Sequence, residues 1–150
     1  MKGYLLDTNV VSMLLPTKRA ATPAFLDWLR ARYSEDTLFL SVITVQEIEK
    51  GAEKLATVKG GSQQRAALIK AWLEELIGEY GDRILPIDMM VAKQAGQLEG
   101  KALAAGHDSG LADILIAATA KAHDLTVLTW NLRDFRPIDV RVQTPEDITS

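Results

Sequence analysis

Short apolar runs alternate with longer stretches of helical periodicity along this chain, and that alternation restricts the fold more than any other feature. Strands separated by helices rather than by tight turns run parallel, so the pattern describes βαβ units around a sheet covered on both faces. Tyr4-Leu5-Leu6 is the first run, and a helical turn over residues 10–15 follows it until Pro16 stops it. Pro23 opens a helix that carries Phe25, Leu26, Trp28 and Leu29 as a core-facing stripe. Residues 37–42 form a second strand, after which Thr44 caps a helix whose Val45, Ile48, Ala52 and Leu55 step by three and four. Lys59-Gly60-Gly61-Ser62 breaks that helix from a long one, with Leu68, Trp72, Leu73, Leu76 and Tyr80 on one broad face. Ile84-Leu85-Pro86-Ile87 is a third strand, shortened by its proline. Asp88 caps a helix running toward Gly106, and after the turn His107-Asp108-Ser109-Gly110 a further helix covers residues 111–123. Thr126-Val127-Leu128-Thr129 is the fourth strand and Val140-Arg141-Val142 the candidate fifth, at the edge. The expectation is an α/β chain: a three-layer α/β/α sandwich with a central parallel sheet of four to five short strands, one domain over residues 1–150.

Composition narrows the chemistry. A chain of 150 residues with 47% hydrophobic and 25% charged residues has enough apolar surface for one core, which removes disorder as a reading. It has no cysteine, so a disulfide framework, a thiolate zinc site and a cysteine nucleophile are all excluded, and a reducing cytoplasm suits it. The apolar run before Asp7 is too short for a signal-peptide core and no stretch approaches a membrane span, so a cytoplasmic, membrane-free protein is expected. A net charge of −3 argues against a module that coats nucleic acid by electrostatics. It leaves room for an enzyme that meets phosphate through bound cations.

In open parallel sheets, ligands gather beyond the carboxyl ends of the strands. Asp7, the segment before Glu47, and Thr129-Trp130-Asn131 all fall at such ends. Asp113 is the lone charge in Leu111-Ala112-Asp113-Ile114-Leu115-Ile116-Ala117-Ala118-Thr119-Ala120, a helix apolar on nearly every side. A buried carboxylate costs several kcal/mol unless paired, protonated or on a metal, which marks Asp113 as a site candidate. Its plainer role is a first-turn acid that complements the helix dipole. Asp7 points off the end of a strand, where a reactive carboxylate is wanted, and equally suits an N-cap for the helix that follows. Glu47 closes Thr44-Val45-Gln46-Glu47, which reads as a capping box, and it also lies three residues from Lys50 for a solvated pair. Nothing local prefers Glu47 over Glu49.

Four segments together carry a resemblance: Leu5-Leu6-Asp7-Thr8-Asn9; Ser41-Val42-Ile43-Thr44-Val45-Gln46-Glu47 followed by Gly51; Ala112-Asp113 through Ala120; and Leu128-Thr129-Trp130-Asn131 with Asp134-Phe135. In this order and spacing they resemble the four motifs of PIN-domain nucleases, and within that family the VapC- and FitB-type toxins of bacterial toxin–antitoxin pairs. The resemblance implies a compact parallel sheet flanked by helices and an endoribonuclease whose acids bind Mg²⁺ or Mn²⁺. Carried over by position, those acids are Asp7, Glu47 and Asp113. At the fourth motif many members have an aspartate where this chain has Asn131, often after an arginine where it has Trp130. Asn131 still offers a carbonyl oxygen, and Asp134 follows three residues on, so occupancy of a second metal stays open. Thr8, Asn9 and Thr129 would be hydrogen bonders around the ligands or the phosphate. The resemblance further implies an RNA substrate, a cognate antitoxin and a homodimer. Trp72, Leu68 and Leu55 could line an antitoxin groove, their default role being core packing.

Other features take ordinary readings. Lys50, Lys54, Arg133 and Arg136 are solvated charges within reach of an RNA backbone. His107 in a turn and His123 at a helix C-terminus are not read as acid–base groups or ligands. Lys59-Gly60-Gly61-Ser62 lacks the strand-loop-helix setting of a phosphate loop. A phosphatase of the haloacid dehalogenase type also begins with an aspartate after its first strand, but needs a second aspartate where this chain has Asn9. A non-catalytic PIN-like binding domain is the other alternative.

Overall fold

A computed structural model describes residues 3–18 and 20–149. Its centre is a five-stranded, wholly parallel sheet in the order β3-β2-β1-β4-β5, with β1 at Tyr4–Leu6, β2 at Leu38–Ser41, β3 at Ile84–Leu85, β4 at Thr126–Leu128 and β5 at Val142–Gln143. The first strand is central because its Tyr4-Leu5-Leu6 is apolar on both sides, and the register sets Tyr4 beside Leu38 and Thr126, and Leu6 beside Leu128. Successive side chains leave a strand on opposite faces. Leu6, Leu38, Leu40 and Leu128 accordingly enter one core, while Leu5 and Val127 enter the other.

Eight helices cover the two faces among the described residues. One layer holds α1 (Thr8–Ser12), α2 (Pro23–Ser34), α3 (Val42–Thr57) and α4 (Gln63–Tyr80), with Val10, Val11, Phe25, Leu29, Ile48, Ala52, Ile69 and Leu73 buried against the sheet. The opposite core is filled from α5 (Met89–Ala104), α6 (Leu111–Ala122) and α7 (Leu132–Phe135), and α8 (Pro145–Thr149) returns to pack on α2. In α6 the residues Ile114, Ile116, Ala117, Ala118 and Ala120 are fully buried. Thr119, fully buried beside them, satisfies its hydroxyl by donating to the Leu115 carbonyl at 2.7 Å. No described helix is long and apolar enough to cross a membrane.

Several boundaries differ from the sequence reading. The helix after β1 starts at Thr8, because Asp7 turns the chain at once. The cap of α3 is Ser41, whose hydroxyl accepts from the Ile43 N–H at 3.0 Å; Thr44 lies inside the first turn and is fully buried. Both are good caps three residues apart, and the earlier one wins because the later hydroxyl is needed elsewhere. Leu68 is 56% exposed and not on the packing face of α4, which buries Ala66, Ile69, Leu73, Leu76 and Tyr80 in steps of three and four. Leu55 and Trp72 are half-buried against the core, in their packing role. The fifth strand is Val142–Gln143 rather than 140–142, and the fourth ends at Leu128, leaving Thr129 beyond the sheet's edge. Asp88 caps α5 as read, accepting from the Val91 N–H at 2.9 Å.

The break between α3 and α4 depends on one glycine. The chain folds back so tightly that the Ser62 N–H donates to the Leu55 carbonyl at 2.9 Å, and a Cβ on Gly61 would sit 2.0 Å from that oxygen. Gly51, in the exposed middle of α3, has nothing within 4 Å of its missing Cβ. Gly61→Ala is therefore expected to destabilise the fold by about 1–3 kcal/mol, as overpacking does. Gly51→Ala should stabilise it by about 0.5–1 kcal/mol, the helix-propensity difference. Urea unfolding of the two variants checks both signs.

Candidate active site

The carboxyl end of the sheet is organised around Asp7. Its backbone N–H donates to the Leu128 carbonyl at 2.9 Å, continuing the β1–β4 ladder by one residue, while its own carbonyl receives the Val10 and Val11 N–H groups and so starts α1. The side chain is only 5% exposed. Its Oδ1 accepts from the Thr8 N–H at 2.8 Å and Oδ2 from the Thr129 hydroxyl at 2.8 Å. Asp7 is thus an N-cap and an aimed carboxylate at once, the two readings that the sequence left side by side. Burial pushes its pKa above the ordinary carboxylate value; the bonds from Thr129 and Thr8 oppose the rise, and the charges of Glu47 and Asp134 add to it.

Thr129, fully buried just past β4, is the hub of this arrangement. Besides donating to Asp7, its hydroxyl accepts from Asn9 Nδ2 at 3.2 Å and from the Asn131 N–H at 2.9 Å. Asn9 Oδ1 in turn accepts from the Trp130 N–H at 3.1 Å. The β4–α7 turn is therefore tied to α1 by side chains rather than by strand pairing. Asn131 itself is exposed, and its side chain makes no hydrogen bond among the described residues.

Glu47 reaches the same end of the sheet by a different route. The Thr8 hydroxyl donates to its Oε1 at 2.6 Å, and Thr8 and Thr44 hydroxyls lie 2.9 Å apart. A hydroxyl has one proton, and that of Thr8 is committed to Glu47, so Thr44 must be the donor to Thr8. The chain Thr44→Thr8→Glu47 orients the carboxylate and replaces both readings made from sequence: no capping-box bond forms, and Glu47 has no ion pair with Lys50 among the described residues. Thr44 is the residue that sequence reasoning misplaced. Its position one helical turn before Glu47, on the same face, was the available signal.

Asp113 occupies the first turn of α6, behind an N-cap, Gly110, that has no side chain to offer. It has no hydrogen bond or ion pair among the described residues. Burial, then the charges of Asp7, Asp134 and Glu47, lift its pKa to about 6. Glu47 and Asp134 act on both Asp7 and Asp113, so Asp134, exposed on α7, belongs to the group while Asn131 adds no charge. Beside Asp113 lies a polar hollow of about 260 Å³ lined by His107, Ser109, Arg133 and Asp134. Lys50, Lys54 and Arg136 are exposed, and His123 stands at the C-cap of α6 as expected of a histidine there.

Hard oxygen donors that crowd one another and have no cation partner among the described residues suit a small divalent ion. Among the described residues no three carboxylates or imidazoles are arranged to hold one ion by themselves. Magnesium does not require that, since it takes one or two carboxylates and keeps several waters. Asp7 and Asp113 fit this demand best: each oxygen of Asp7 has a lone pair beyond its single hydrogen bond, and Asp113 is unengaged among the described residues.

The PIN domain family model matches residues 4–140. The chain belongs to the PIN-domain family. Over 141 residues it is 36% identical to the toxin FitB of Neisseria gonorrhoeae, covering 94% of this chain and 96% of FitB. It is 35% identical over 142 residues to the VapC ribonuclease Y4jK of Sinorhizobium fredii, covering 94% and 96% of the two. The crystal structure of FitAcB from Neisseria gonorrhoeae superposes with a TM-score of 0.79 at 35% identity, over 95% of this chain and 98% of that one. The three-layer PIN-like sandwich expected from sequence is the fold observed, and family membership removes the dehalogenase-type phosphatase; Asn9, at the decisive position of that rival, is spent on Thr129 and Trp130.

Two consequences of this PIN site can be measured. A carboxyl whose folded-state pKa lies above its unfolded value makes no difference below the unfolded pKa and costs stability once pH exceeds the folded one. For Asp113 the cost begins above 3.8 and is complete above about 6. In EDTA, Asp113→Asn should raise stability at neutral pH by about 1 kcal/mol, solvent screening and the lost dipole interaction trimming the gain. Melts at descending pH should show the gain disappear near 4. Thr129→Val removes three hydrogen bonds from a buried hub and should cost about 2–3 kcal/mol, with Thr129→Ser recovering most of it in the same melts.

Proposed function

We propose that this chain is a divalent-metal-dependent endoribonuclease, the toxin of a toxin–antitoxin pair that inhibits translation or growth. The observation that carries the proposal is the pair Asp7 and Asp113 at the carboxyl end of a parallel sheet, both with raised pKa and both under the charges of Glu47 and Asp134. The names of its relatives support the same reading, FitB as a toxin and Y4jK as a ribonuclease. Asp7 and Asp113 would hold Mg²⁺ or Mn²⁺, with Glu47 nearby as a further ligand or as the group that orients water. Such an ion supplies two things when bound: polarisation of the scissile phosphate and a water of lowered pKa.

The remaining work falls to this chain's own residues. Thr129 and the Thr8 N–H hold Asp7 in one orientation, so its free lone pairs face the site without a search through rotamers. The Thr44–Thr8 pair fixes Glu47 by one oxygen, leaving the other to accept from the attacking water. Arg133, on the wall of the hollow beside Asp113, would receive phosphate charge. Attack of water on phosphorus breaks the bond to one bridging oxygen, which leaves with a proton. A net charge of −3 fits this economy, because attraction for RNA is concentrated at the site. A cognate antitoxin completes the proposal, supported by the toxin relative, and we add to it a homodimeric state and a cytoplasmic setting.

The test is cleavage of a mixed RNA pool by the purified chain with millimolar Mn²⁺ or Mg²⁺. Cleavage is expected, and EDTA, Asp7→Asn or Asp113→Asn should each lower it by at least about 100-fold. The metal should also raise the melting temperature of the wild type and leave that of Asp7→Asn nearly unchanged. Binding of RNA without cleavage would favour the non-catalytic alternative, and a melting temperature indifferent to metal would count against the ion site.

A further inference from the structure

Trp130 is the large apolar residue exposed at the carboxylate end of β4, at 38% of its surface, between the hub Thr129 and Asn131. An exposed tryptophan on a mobile loop would be an ordinary surface residue, but this one is held at three points. Its backbone N–H donates to Asn9 Oδ1 at 3.1 Å. Its neighbours on both sides are fixed through the Thr129 hydroxyl, which binds Asp7 and the Asn131 N–H. Its indole Nε1–H is directed at the Met13 sulfur, which consumes the ring's only polar atom in a contact within the chain. What remains outward is ring surface with no hydrogen-bonding demand, one residue from the threonine that aims Asp7. Neither the fold nor the carboxylate chemistry uses that surface: Trp130 belongs to neither hydrophobic core.

We infer that Trp130 is a stacking platform for an unpaired nucleobase, seating the nucleotide adjacent to the scissile phosphate. The inference rests on the ribonuclease reading above and adds to it how the substrate is recognised. A phosphodiester gripped only through its charge can slide along the site; a base on a pinned ring stops it in register. Every base has a π-face, so such a platform selects for unpaired RNA rather than for sequence. In this arrangement the base would lie against Trp130 and the phosphate toward Asp7 and the hollow walled by Asp113 and Arg133.

The experiment compares wild type, Trp130→Phe, Trp130→Leu and Trp130→Ala on a single-stranded mixed-sequence RNA and on the same strand in a full duplex. Stacking on one base is worth roughly a 5- to 100-fold change in binding. Trp130→Ala and Trp130→Leu should raise KM by such a factor and affect kcat less, while Trp130→Phe retains most of the wild-type KM. The duplex should be the poorer substrate for wild type, with the preference reduced in Trp130→Leu. In an Asp113→Asn background, the single strand should quench tryptophan fluorescence, and Trp130→Phe should abolish that quenching while Trp28 and Trp72 still report. Leucine fills the same contact with Met13 without a π-face, so Trp130→Leu behaving like Trp130→Phe overturns the platform and makes the ring a packing residue. Cleavage by wild type with an unchanged KM in Trp130→Ala also overturns the platform alone and leaves the ribonuclease standing. Absence of both cleavage and RNA binding in the wild type overturns both.

Discussion

The bond from the Thr129 hydroxyl to Asp7 Oδ2 holds this end of the molecule together. Asp7 leaves the central strand, extends its ladder to β4 and caps α1, so β1, β4 and α1 meet at this one residue. Placing a carboxylate there at 5% exposure is unfavourable, and two neutral donors offset only part of the cost. The remainder appears as a raised pKa, meaning that the folded chain holds Asp7 in a state a cation would relieve. Structure and proposed chemistry thus share one atom group: the side chain that closes the β1–α1 junction is the one aimed at a ligand.

The other acids arrive by separate routes, and their geometry shows a division of labour. Asp113 comes on an alanine-rich helix packed against the sheet, with no hydrogen bond or ion pair among the described residues. Glu47 comes on α3 and is oriented by a directed pair of hydroxyls. Asp134 comes on a single turn after β4 and remains in solvent. Asp7 and Asp113 have the raised pKa values, with Glu47 and Asp134 contributing to them as neighbouring charge. Rigid backbone supplies the positions, and short threonine side chains supply the aim.

Trp130 extends the same logic to recognition. The hydrogen bonds that aim Asp7 also pin the turn bearing the ring, through Thr129 and Asn9. Catalytic and binding surfaces built on one network move together, which keeps a base and its phosphate at a constant spacing.

The alternation of short apolar runs with amphipathic helices was enough to determine a parallel sheet between helical layers, since burial of apolar faces leaves few other solutions. Asp7 and Asp113 were legible because a carboxylate at a strand end, or alone in an apolar helix, conflicts with its surroundings. Asp88 was legible because its cap is a local interaction. What depended on distant contacts was not. Ser41 and Thr44 are equivalent caps within a window of a few residues, and only the approach of Thr8 from another element assigns Thr44 to the site. Leu68 is apolar, but the packing of α4 on α3 leaves it one position off the buried stripe. Asn131 stands where the resemblance led one to expect an acid, as in many members, and the turn of α7 brings Asp134 into the shared field. The sequence by itself determined the layers and the two most isolated charges, because hydrophobic periodicity and burial cost are written in consecutive residues. Tertiary structure decided which hydroxyls aim the acids and which fourth acid joins them, because those contacts join residues 36 to 122 positions apart.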